Sequence, residues 1–138
     1  MRLAVLPALS LIACAAANQA SGTVLERGWS APLVRGVYCE YCGGGPRVTL
    51  TFGEPTGWNL TVETDSCSDG ATAYVGDGGG ARITLLNRDH DESASDGEVV
   101  LDACTPDAAR GTFSARFANG DEVSGRFSTR LEFDHGFE

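Results

Sequence analysis

The sequence predicts one all-β domain, an antiparallel sandwich or small barrel of about seven or eight strands held by disulfides. Three observations predict it. Apolar and polar residues alternate at period two in run after run. Gly, Pro, Asn and Asp punctuate the runs at short spacing, as in sandwiches and barrels. No stretch of useful length carries apolar residues at helical spacing. One-sided apolarity of this kind belongs to antiparallel strands with one wet face.

The chain opens with Met1-Arg2, then a run from Leu3 to Ala13 that is apolar except for Ser10. That run is too short to span a bilayer, which needs about 20 residues. A charged start, a short apolar run and small residues beyond it describe a secretory signal over residues 1–13. Leu11-Ile12-Ala13-Cys14 resembles the lipobox of bacterial lipoprotein precursors: aliphatic, small or aliphatic, small, then Cys. The resemblance covers the signal only. It implies cleavage before Cys14, diacylation of its sulfur and acylation of the new amino group. Ala15, standing where an aspartate would favour inner-membrane retention, implies the outer membrane. Two or more acyl chains anchor stably where one is marginal, at about 0.8 kcal/mol per buried methylene. An ordinary signal cut near Ala15-Ala16-Ala17 is the alternative. Small and polar residues from Ala15 to about Pro32 read as a tether, so residues 14–32 form a lipid-anchored linker and 33–138 the β domain.

Within that domain Val48, Leu50 and Phe52 alternate with Thr49 and Thr51; Trp58, Leu60 and Val62 alternate with Asn59, Thr61 and Glu63. Ile83 and Leu85, Val99 and Leu101, and Phe113, Ala115 and Phe117 repeat the pattern, as does the stretch Val123, Phe127, Leu131, Phe133. Parity then tests register. A two-residue turn at Asn119-Gly120 would set Phe117 opposite Glu122 and Phe113 opposite Arg126, mixing core and charge on one face. A three-residue loop, Ala118-Asn119-Gly120, sets Ala115 opposite Val123 and lets Phe113 cover Gly125. A five-residue loop from Gly53 to Gly57 likewise pairs Phe52 with Trp58 and Leu50 with Leu60.

Five cysteines are an awkward number for an exported chain; without Cys14 the set Cys39, Cys42, Cys67 and Cys104 is even, and two disulfides are expected. Three pairings are open. On one extended strand Cys39 and Cys42 would sit roughly 10 Å apart, beyond the reach of a bridge, so they pair only if Glu40-Tyr41 makes a turn. The reading leans to Cys39–Cys42 with Cys67–Cys104. A thiol exchanger or half a zinc site at Cys39-Glu40-Tyr41-Cys42 is the functional alternative. A redox CxxC usually opens a helix, and zinc needs a second close pair; β-like sequence surrounds this one.

The formal charge of −9, with arginine as the only basic residue besides histidine, argues against nucleic-acid binding and against electrostatic docking on anionic lipid. No metal site is assigned. Asn87 to Glu98 partly resembles a calcium loop, but Glu92 replaces the turn glycine and no helices flank it. A looser calcium site on Asp89, Asp91 and Asp96 is the alternative to a solvated acidic loop. Asp77-Gly78-Gly79-Gly80 reads as a hairpin tip. No GxSxG elbow occurs. His90 and His135 read as surface residues, and Asn59-Leu60-Thr61 as a chance sequon. Trp58 reads as buried; Tyr38 and Tyr41 point to a binding face near Cys39–Cys42. No catalytic residue or cofactor is assigned. The expectation is a non-enzymatic envelope lipoprotein with a structural or binding role, its partner the membrane through a lipid anchor. A calcium-stabilised ligand-binding module and a thiol or zinc protein are the rivals.

Overall fold

A computed structural model describes residues 18–42, 45–53, 57–76, 78–87 and 89–134. Residues 1–13, where a signal is expected, Cys14 and His135 lie outside the described residues. Eleven strands run in order: β1 (Gln19–Val24), β2 (Arg27–Cys42), β3 (Gly45–Phe52), β4 (Asn59–Thr64), β5 (Thr72–Val75), β6 (Gly80–Asn87), β7 (His90–Ser93), β8 (Asp96–Thr105), β9 (Ala108–Arg116), β10 (Glu122–Arg130) and β11 (Glu132–Asp134). Nine close into a barrel in the order β1-β10-β9-β8-β5-β6-β4-β3-β2, with β2 returning to β1. The all-β expectation holds, and the barrel form holds over the sandwich.

A ring of nine cannot alternate up and down all the way round, so one neighbouring pair must be parallel. That pair is β5 and β6, joined at Tyr74↔Gly80 and Val75↔Ala81. Parallel neighbours normally need a crossover of about a dozen residues; here four residues separate Val75 from Gly80, of which Asp77 lies outside the described residues. Gly76, Gly78 and Gly80 hold φ of 123°, 74° and 87°, and Tyr74 N donates to the Gly79 carbonyl at 2.8 Å. A Cβ on Gly79 would collide with the Tyr74 carbonyl. The glycine run is therefore a tight parallel link, not the hairpin tip its composition suggested.

Two strands fill only part of the barrel's height. On the same edge of β6, β5 occupies Gly80–Ala81 and β7 occupies Thr84–Asn87. On β2, β1 pairs with residues 27–32, and β11 pairs in parallel with Val37–Cys39. The stretch after β9 expected as one strand is thus split into β10 and β11 at Leu131, because β1 wedges between β10 and β2.

The proposed tether is corrected from Gln19 onward. Residues 19–32 are strand, with Ala20, Val24 and Ala31 in the core. The signal was hidden because these core residues are small and the turn lacks Asn or Gly. Leu25 and Glu26 form a two-residue hairpin turn, both at positive φ (51° and 67°), the type I′ signature.

The β9–β10 register matches the parity argument: Val123 faces Ala115, and Phe113 faces Gly125. Gly120 turns at φ 96°, and a Cβ on Gly125 would lie 2.6 Å from the Phe113 ring. The β3–β4 hairpin has the right parity but is shifted by two, with Phe52 opposite Leu60 and Leu50 opposite Val62. Trp58 is therefore in the loop, half-buried. Inward residues from all sides fill the barrel. Phe52 and Phe113, from strands on opposite sides of the ring, meet with ring centroids 5.3 Å apart.

Replacing the strained turn, Leu25→Asn with Glu26→Gly, is expected to raise stability by about 1 kcal/mol, since left-handed backbone costs roughly 1–2 kcal/mol per ordinary residue. Leu25 is 54% exposed, so little burial is lost. Urea denaturation reads the change, and an unaltered or lower midpoint contradicts it.

Candidate functional site

Viewed with the β1–β2 and β9–β10 turns uppermost, the two ends of the barrel are held by different chemistry. Both disulfides lie at the lower end. The β2–β3 register slips between Cys39, opposite Arg47, and Cys42, opposite Gly45. Glu40 and Tyr41 bulge there, and the two Cα atoms come to 5.6 Å, within bridging range. Cys67, in the loop after β4, is bridged to Cys104 near the end of β8, with Cα atoms 5.1 Å apart. Cys104 N donates to Asp69 Oδ1 at 2.9 Å. The favoured pairing is the one found. The CxxC closes a hairpin end and has no helix beside it, so the feature that depresses a redox thiol's pKa is missing among the described residues. Beside it Tyr38 stacks on Phe133 (centroids 5.8 Å, 30° between planes), and Tyr41 is exposed.

The upper end is polar. Asp121 is buried, 4% exposed. Its Oδ1 accepts from Leu25 N at 2.9 Å and its Oδ2 from Asn119 Nδ2 at 3.1 Å. Asn119 Nδ2 also reaches Glu92 Oε1 at 3.3 Å, and His90 Nε2 lies 3.7 Å from the same oxygen. The Trp58 ring meets His90 edge-on at 5.5 Å. These contacts tie the β1–β2 turn, the β9–β10 turn and β7 together. Sequence reasoning missed Asn119 and Asp121 as partners; the Asn-Gly-Asp triplet signalled a turn but not what its side chains would hold.

The acidic candidates are spread along the chain. Asp89 caps the β6–β7 turn, its N–H donating to Asn87 Oδ1 at 2.9 Å. Asp91 stands opposite Leu86 on β7, and Asp96 opposite Arg116 at the start of β8. Among the described residues no three of His, Cys, Asp and Glu gather where a metal ion could sit.

With the interior filled, the grooves lie on the outer wall. One follows Glu63, Asp65, Arg82 and the glycine link; another lies between β2 and β10, against Asn18, Val34 and Leu131. Asn18, at φ 57°, ends the β1 ladder. Its Oδ1 accepts from Ser128 N at 2.7 Å and its carbonyl from Leu33 N at 2.9 Å. Upstream chain therefore joins the barrel at its side wall. No family model, curated protein or solved structure matches this chain.

Removing Cys67–Cys104 (both to Ala) is expected to cost about 4 kcal/mol and removing Cys39–Cys42 about 2 kcal/mol, from the loop lengths each bridge closes. Urea denaturation of the two double variants checks the order; equal losses contradict it.

Proposed function

We propose that the chain is an exported, lipid-anchored envelope protein with a non-enzymatic structural or binding role, carried at the outer membrane. One observation supports this reading above the others. Four cysteines pair within the barrel, and the fifth, Cys14, stands at the end of Leu11-Ile12-Ala13-Cys14. Disulfides persist outside the cytoplasm, and an unpaired cysteine at a lipobox is the one an acyl transferase modifies. The filled interior, with Phe52 against Phe113, leaves no lumen for a ligand in the manner of hollow barrels, so binding would use the outer surface.

Expression of the full chain in a bacterium with an outer membrane tests the reading. Mass spectrometry of the membrane fraction is expected to find the chain beginning at an acylated Cys14, with no thiol open to alkylation before reduction. Cys14→Ser is expected to lose the acyl mass. A chain retaining Met1 with reactive thiols would overturn the proposal.

A further inference from the structure

We infer that the outer face of β9 and β10 rests on anionic phospholipid headgroups of the membrane holding the Cys14 lipid; the inference rests on the anchor reading above. The whole-chain charge conceals a local one. Outward on β9 stand Arg110, Thr112, Ser114 and Arg116, and outward on β10 stand Glu122, Ser124, Arg126, Ser128 and Arg130. Arg116 pairs with Glu122 at 3.3 Å near the upper end. Below it the two strands present three arginines and no carboxylate of their own, with Asp102 at the β8 bulge and Glu132, paired with Arg35, on the flanking strands.

Register brings the three together. Arg110 is opposite Ser128, so it lies diagonal to both Arg126 and Arg130, at roughly 7–8 Å. Arg110 and Arg130 make no ion pair among the described residues. Arg110 and Arg130, on diagonal positions of neighbouring strands, repel, and an anion from outside offsets the repulsion. The shallow groove that Arg110 and Arg130 border, about 350 Å³, is lined by Ala103, Ala108, Ala109 and Ser128, a small-residue floor with two guanidinium groups on its rim. That suits a phosphate headgroup and the glycerol beneath it.

The tether supplies the second argument and decides the occupant. Asn18 is held by Ser128, the residue between Arg126 and Arg130. From Cys14 to Asn18 the chain spans four residues, at most about 14 Å. A lipid on Cys14 therefore keeps the wall around Asn18, β10 with the adjoining part of β2 at Leu33, within a short leash of the bilayer.

The test is arginine modification by phenylglyoxal, read residue by residue by mass spectrometry. The full lipidated chain is reconstituted in vesicles of phosphatidylcholine with or without phosphatidylglycerol. With phosphatidylglycerol, Arg110, Arg126 and Arg130 are expected to react about fivefold more slowly, while Arg47 and Arg82 keep their rates; high salt is expected to abolish the protection. Equal reactivity in both vesicles, or protection by an acidic polypeptide but not by phosphatidylglycerol, overturns the inference and leaves the anchor reading standing. If Cys14 carries no lipid, protection of the unlipidated chain by added phosphatidylglycerol vesicles upholds the arginine face as the anchor falls, and its absence removes both.

Discussion

Closure of the ring by β1 is the interaction on which the rest depends. Without β1, the upper half of β2 and the facing edge of β10 would present unpaired backbone groups, a ready template for association. β1 satisfies both at once, pairing Gln19–Thr23 with Glu122–Arg126 and Gln19–Val24 with Arg27–Pro32. The approach is close enough that a Cβ on Gly22 would collide with the Glu122 carbonyl. Six residues thus remove two edges, and Asn18 ends the ladder by satisfying one more donor on each side. Because β1 is the first strand among the described residues, the element that closes the barrel is also the one nearest Cys14 in sequence.

A closed ring around a filled interior moves function outward. The Phe52–Phe113 contact spans the barrel, and Val48, Leu50, Leu60, Ile83, Leu85 and Val99 leave almost no exposure around it. The described ion pairs, such as Arg82–Glu63 and Arg35–Glu132, are on the surface, where such pairs contribute about 0–1 kcal/mol each. Stability therefore rests on the interior and the bridges, which leaves the outer side chains free to vary with their partner.

The sequence made part of this legible. Where both strands alternate cleanly, as in β9 and β10, parity fixed the register, because a slip of one residue would have turned Phe113 to the wet face. In β3–β4 parity left slips of two undetermined: Trp58 looked like a core residue, and only Leu60 opposite Phe52 shows otherwise. β1 and the first half of β2 were hidden by small core residues and a Leu-Glu turn. Cysteine count named the bridged residues and left three pairings open, and the one geometric condition placed on Cys39 and Cys42, a turn at Glu40-Tyr41, is met by the bulge observed. The arginine face was not legible. Arg110 is far from Arg126 and Arg130 in sequence, and the acidic total pointed the other way; only the pairing of β9 with β10 assembles it.

The two ends of the barrel respond to different agents. Cys39–Cys42 and Cys67–Cys104 both sit at the lower end, where β2 and β3 project past β1 and the loop after β4 crosses to β8. Among the described residues the upper end has no covalent tie; the Asp121 carboxylate bonds to Leu25 N and Asn119 instead. Reduction consequently frees one set of loops without touching the hydrogen bonds of the other. β1 depends on neither bridge: it is held by two ladders and by Asn18, midway along the wall. An anchor pulling at Cys14 would load those ladders along the strand, so that many backbone hydrogen bonds share the force, and the disulfides would bear none of it.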